Sequence, residues 1–312
     1  MTGSQNNAQV NKLLTNISNK IVPDGFIAEQ ILPLTNVVQS SGLLGGYGTS
    51  HLRIETSLTT GKNKVPRIDT RSYTTTAYSV DDHGLSDIIT KRDYANVEAP
   101  FDAENDTIVE IVTKLQLEKE KGLADTLTST AIITQNTTLS GTSQFSDYTN
   151  SDPLGKFSTA RAAIYNATGS VPNKAIMSWA VYDKIRYHPS LLVNLGYNYD
   201  RPGGLSVQEL ARALDVQEIL VGKAVYESAK EGQSSSIAPV WGKHIVFAVA
   251  PAVATRTQTS LGYRIQLFGA PRKVYKNAVT NPPESTEIIV MDSYQQLISK
   301  ATAAYLIKDA IA

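Results

Sequence analysis

The sequence predicts an α+β fold in two units, the second inserted into the first. Three observations point there. Residues 102–131 carry a long helical repeat, residues 156–251 alternate helix and strand patterns, and the text from 261 onward turns to extended segments with no helices of their own. Those closing strands pack most economically on the long helix, which makes the first unit from both ends of the chain.

The long stretch, DAENDTIVEIVTKLQLEKEKGLADTLTSTA, is the organising element. Ile108, Ile111, Val112, Leu115, Leu123, Leu127 and Ala131 recur at spacings of three and four, with a shift around Gly122, so one stripe is buried. Glu110, Lys114, Glu118, Lys119 and Lys121 cover the other faces. Asp102 or Asn105 can cap the first turn, and Glu104 and Asp106 put negative charge at the positive end of the helix dipole. Such a helix is about 40 Å long, a strut across a whole domain.

A chain of 312 residues, 41% hydrophobic and 19% charged, can bury a full core and is too apolar for global disorder. Its 29 basic and 29 acidic residues cancel, so no tight, sequence-independent grip on DNA is implied. It has no cysteine, which excludes disulfides and thiolate chemistry. The longest apolar run, 245–254, contains Pro251 and is about half the length of a membrane span. The first residues lack a charged-then-apolar signal pattern, so the expected place of synthesis and use is the cytoplasm.

Taken in order, Val10, Leu13, Leu14 and Ile17 predict a short amphipathic helix, followed by an apolar, extended arm punctuated by Pro23, Asp24-Gly25 and Pro33. Such an arm needs a surface to lie on, its own or a neighbour's. Residues 42–78 become rich in Gly, Thr and Ser and predict a long β-hairpin turning at GKNK, with too few large aliphatics to be stable alone. HGLSDIITKRDYAN reads as moderately helical and ends before Pro100. Residues 135–153 read as a loop or a weak hairpin. The second unit then runs through the helix FSTARAAIYNATG, the strand KAIMSW, the helical AVYDKIRYHPSLLVNL, the loop GYNYDRPGG, the helix SVQELARALD and the strands EILVGKAVYE and KHIVFAVAP.

No stretch reads as a catalytic, cofactor or metal site. GLLGGYG at 42–48 lacks the spacing of a phosphate loop and reads as a hinge. Asp81, Asp82 and His83 have no partner motif for metal ligation, so a loop or capping role is expected. His51, His188 and His244 stand alone, and no serine sits in a nucleophile elbow. GYNYDRPGG, with Arg201, suits protein contacts better than base stacking. Lys62 and Lys64 read as solubilising charge at the hairpin tip. What remains is a folded chain with an arm and a hairpin that both need partners, the profile of an assembly protein.

The segment 78–127 also resembles the middle of the major capsid proteins of tailed double-stranded-DNA bacteriophages and prophages, the Hong Kong 97-like fold. Tyr78, the step His83-Gly84-Leu85, and Ala95, Asn96, Pro100, Phe101 and Asp102 lead in that pattern straight into the long "spine" helix. The text from SLLVNLGYNYDRPGG to the PVWGKHIVFAVAP step resembles the axial domain of the same proteins.

The resemblance implies an N-terminal arm at 1–45 and an E-loop hairpin at 46–78. It implies a peripheral domain at 79–153 and 256–300 with its spine helix at 102–131, and an axial domain at 154–255 and 301–312. It implies a non-enzymatic shell subunit that forms pentamers and hexamers, builds an icosahedral capsid in the bacterial host cytoplasm and encloses double-stranded DNA contacted weakly and non-specifically. The partners implied are further copies of the chain, a scaffolding protein, a portal and decoration proteins, with no membrane and no cofactor. Some family members crosslink a hairpin lysine to an asparagine of the next subunit. Lys62 or Lys64 with Asn277 is the naive pairing here, without a matching motif, and it needs a buried carboxylate to take the proton. The alternatives are an encapsulin-type compartment shell, which shares the fold, and an enzyme with an unrecognised site.

Overall fold

A computed structural model describes residues 9–10, 14–15, 18–19, 25–47, 54, 57–58, 65, 73–96, 102–197, 203–255, 258–269, 272–279 and 284–312. Its strands begin with β1 (Gln9–Val10), β2 (Leu34–Val37), β3 (Ser41–Tyr47), β4 (Tyr73–Ser79) and β5 (Asp81–Thr90). The middle of the chain supplies β6 (Asn136–Thr138), β7 (Lys174–Ser178), β8 (Glu218–Gly222), β9 (Val225–Glu227), β10 (Ile237–Pro239) and β11 (Ile245–Ala248). The end supplies β12 (Gly262–Leu267), β13 (Arg272–Val279), β14 (Ser285–Ile298) and β15 (Ala304–Lys308).

Two sheets organise these strands. In the first, the long β14 is the centre: β13 and β12 pair along one side of it and β5 along the other, with β1 beyond β13 and β2 beyond β12. The second has the order β6, β15, β11, β7, β8, so a strand from near the C-terminus lies inside the middle unit. β3 and β4 form a separate antiparallel ribbon, Ser41 opposite Ser79 and Tyr47 opposite Tyr73, and β9 and β10 form another.

The long helix spans Ala103–Leu127. Asp102 caps it, accepting the amides of Glu104 and Asn105, while Asn105 donates its side-chain amide back to Asp102. It stops four positions short of the expected end, where Thr128 leaves helical geometry and turns both its N–H and its hydroxyl onto the Ala124 carbonyl. Its apolar stripe enters two cores in succession. Ile108, Ile111, Val112 and Leu115 pack with Val274, Ile288 and Val290 of the first sheet. Leu123, Ala124 and Leu127 pack with Ile176, Phe157, Phe247 and Leu306 around the second.

Several local expectations change in this context. Residues 81–90 are a strand, and only Lys91–Asn96 continue as helix, because β14 offers β5 a ten-residue antiparallel partner that outweighs local propensity. Gly84 permits that approach, since a Cβ there would lie 3.2 Å from Met291 Cγ. Val10 extends along β13 opposite Tyr275 rather than opening a helix, and Leu14–Thr15 and Ser18–Asn19 are helical. The loop expected at 135–153 carries β6, parallel to β15, and buries Phe145 beside Phe157. The single helical reading of 180–195 divides into Trp179–Ile185 and Pro189–Asn194, because the proline holds His188 in extended backbone. EILVGKAVYE likewise divides, into β8 and β9.

Candidate assembly surfaces and the spine junction

The ribbon of β3 and β4 joins the first sheet at its Ser79 end, where the Ser79 amide donates to the Gln295 side chain of β14. The Gly-rich run 42–47 is therefore paired strand, neither a phosphate loop nor a hinge. Gly42 lies opposite Tyr78 and against its ring, where a Cβ would meet the phenol at 2.9 Å. Apolar side chains on and around this ribbon have no core to enter. Val38 is 87% exposed, Ile54 97%, and Leu43, Leu58 and Val65 are also largely exposed. An exposed apolar set of this kind, with Leu43 on the ribbon and the others before it or between its strands, fits contact with another surface. The tip residues Lys62 and Lys64 lie outside the described residues, and so does His51. Asn277 of β13 faces Glu287 of β14, its amide 3.5 Å from the half-buried carboxylate.

The remaining polar groups singled out in the sequence hold structure together. Asp81, Asp82 and His83 sit on β5 rather than in a loop. His83 stacks on Tyr294 with ring centres 4.5 Å apart and lies 3.7 Å from Glu118, and Asp82 accepts the Ser293 hydroxyl. His188 is buried and caps the helix it precedes: its Nδ1 accepts the Ser190 amide, which leaves Nε2–H to donate to Ser151 Oγ at 2.9 Å. Ser151 thus accepts from the ring and is not activated by it. Burial lowers the pKa of His188 and of His244, whose Nδ1 accepts the Asp309 amide. In GYNYDRPGG, Tyr197 donates to Glu209, Arg186 donates to the Gly203 carbonyl, and Arg201 lies outside the described residues. Among the described residues no three His, Cys, Asp or Glu side chains converge as a metal site, and no helix is long and apolar enough to cross a membrane.

The most developed polar arrangement is one that the helical pattern concealed. Lys119 and Glu120, the first of them expected to lie on a solvated face, are 3% and 1% exposed. They lie where the long helix passes from one core to the other. Lys119 reaches the first sheet: its ammonium is 3.2 Å from Asp292 Oδ2 and 3.1 Å from Glu29 Oε1, and it lies over the Tyr294 ring at 4.2 Å. Arg272 adds a second cation to Asp292, and Arg264 a second to Glu29. Burial pushes the Glu29 carboxyl up, and Lys119 and Arg264 outweigh it, so its pKa ends below the ordinary value. Glu120 reaches the other way. The Trp241 indole N–H donates to Oε1 at 2.6 Å, the Ala28 amide to Oε2 at 2.7 Å, and the Ile27 amide to both oxygens at 3.1 Å. Burial raises its pKa, with these donors opposing. Residues 25–32 are thereby clasped at the junction, with Ile27, Ala28, Ile31 and Leu32 buried and the Gly25 carbonyl accepting the Lys223 amide.

No family model matches the chain. The chain is 25% identical over 276 residues to the major capsid protein of Burkholderia phage BcepMu, covering 84% of this chain and 85% of that one. It is 24% identical over 245 residues to that of Pseudomonas phage JBD67, covering 76% of each. Among solved structures it superposes on a phage-related protein from Bordetella bronchiseptica with a TM-score of 0.73 and 24% identity, over 97% of this chain and 98% of that one. The capsid of cyanophage P-SCSP1u gives a TM-score of 0.61 at 11% identity, over 93% and 89% of the two chains. An encapsulin of Synechococcus elongatus shares the fold at 0.53 and 11%, over 99% and 92%. The long helix shared by two cores, the separate β3–β4 ribbon and these similarities together make the chain a relative of the phage major capsid proteins, with the Hong Kong 97-like capsid fold.

Proposed function

We infer that the chain is a shell-forming phage capsid protein whose activity is self-assembly. The observation that carries this reading is the exposed apolar set Val38, Leu43, Ile54, Leu58 and Val65, before, on and between the strands of the β3–β4 ribbon, on a chain similar over most of its length to two phage major capsid proteins. In the finer reading, residues 1–45 act as an arm and 46–78 as an E-loop lapping a neighbour. Residues 79–153 and 256–300 form the peripheral domain, and 154–255 with 301–312 the axial domain around which pentamers and hexamers close. The shell assembles in the host cytoplasm with scaffolding and portal proteins, encloses double-stranded DNA without a specific grip, and takes its place in the virion. The two curated relatives are both phage capsid proteins, which favours a genome container over a cargo compartment.

The test is to delete residues 46–78 and compare particle size by light scattering and negative-stain microscopy. The parent chain is expected to form closed shells or capsomer-sized rings, and the deletion to remain folded and unassembled. Normal shells from the deleted chain would remove the ribbon from the assembly, and a parent that stays monomeric in every buffer would sink the shell reading itself.

A further inference from the structure

Hydrophobic contacts resist separation but are tolerant of sliding and rotation, whereas a buried hydrogen bond is satisfied in only a narrow range of geometries. The long helix uses both kinds in sequence. Its first half belongs to the core of the first sheet and its second half to the core of the second, and at the changeover it places Lys119 and Glu120. Their partners come from opposite sides: Asp292 from β14 of the first sheet, Trp241 from the segment between β10 and β11 beside the second. Trp241 is itself seated, since its ring lies on Gly222 of β8, where a Cβ would come within 2.2 Å of Cδ1. Both oxygens of Glu120 accept N–H donors from the second core and Lys119 is held by Asp292 of the first sheet, so rotating one half against the other would orphan buried groups on each side.

We propose that this polar collar sets the angle between the two halves of the subunit, and that Glu120 is the positioning residue on which shell curvature depends. The second clause rests on the shell reading above; the first does not. In a closed shell each copy repeats the same subunit shape, so a small spread in that angle becomes a spread in shell radius. Glutamine at 120 keeps the volume but turns an N–H₂ group toward N–H donors, removing the directional constraint while leaving both apolar cores intact.

The chain has no cysteine, which allows a clean pair of labels at exposed sites, Ser86→Cys on β5 and Ser158→Cys on the helix Pro153–Thr168. Spin-label distances in the full chain are expected to show one narrow population for the parent and its loss in Glu120→Gln. Trp241→Phe, which removes a single donor and keeps an aromatic ring, serves if Glu120→Gln fails to fold, and the same loss is expected there. An unchanged narrow distribution in a folded variant would overturn the collar. Shell diameters read by electron microscopy then address curvature: the variant is expected to lose the uniform diameter of the parent. Uniform parental shells from a variant with a broadened distance distribution would overturn the link to curvature, while a parent that never assembles strikes the shell reading and leaves the distance result standing.

Discussion

Trp241 and Glu120, 121 positions apart in sequence, meet through an indole N–H donated at 2.6 Å to a carboxylate that is almost wholly buried. That bond, with the ion pair of Lys119 and Asp292, joins the spine helix to two cores at once. Energetically the arrangement is asymmetric: replacing every buried polar partner by apolar groups is often neutral, but removing one leaves the others uncompensated.

Lys119→Met therefore destabilises strongly. Among the described residues Asp292 then keeps only Arg272, at 3.6 Å, and Glu29 keeps only Arg264. Urea unfolding is expected to show a loss of about 3 kcal/mol or more. The same change at the exposed Lys114, which pairs with Glu110 on the helix surface, is expected to leave the urea midpoint almost where it was.

Leu115→Asp forces an unpaired charge into the core formed with Val274, Ile288 and Val290, and the variant is expected to lose its cooperative thermal transition. An unchanged Tm would mean that the stripe does not face the first sheet.

Asp102→Ala removes the side chain that accepts two amides of the first helical turn. The expected cost is about 1 kcal/mol, seen as a shift in urea midpoint with an unchanged slope. Asp102→Asn should restore most of it, because the amide oxygen can cap in the same way.

His188 gives a pH dependence. Burial lowers its native pKa, so the unfolded chain takes the proton first, near pH 6.5. Stability from this group is present above that pH and declines as pH falls toward the lower native value. His244 shifts in the same direction for the same reason. Melting curves at successive pH values are expected to show a shallower acid slope in His188→Asn, which retains a capping side chain without a titrating ring. Equal slopes would assign the acid sensitivity elsewhere.

The role of Gly42 is checked by Gly42→Val. A side chain there collides with the Tyr78 ring across the ribbon, so the base of the β3–β4 pair is expected to open, visible as faster amide exchange over 41–47 and 73–79 with the body unchanged.

Local pattern made the spine helix, its Asp102 cap, the alternation of the second unit and the ribbon legible, because each rests on neighbours within a turn or across one hairpin. The amphipathic stripe passes through position 119, four residues after Leu115 and four before Leu123. Charge alone assigned Lys119 to solvent, since nothing local reveals that Asp292 and Glu29 wait beneath it. Tertiary structure decided what depends on remote partners: β5 as a strand along β14, the parallel pairing of β6 with β15, and the meeting of Glu120 with Trp241. Propensity is a sum over a few adjacent residues, whereas the stability of a buried ion or an edge strand is fixed by groups that the fold brings from far along the chain.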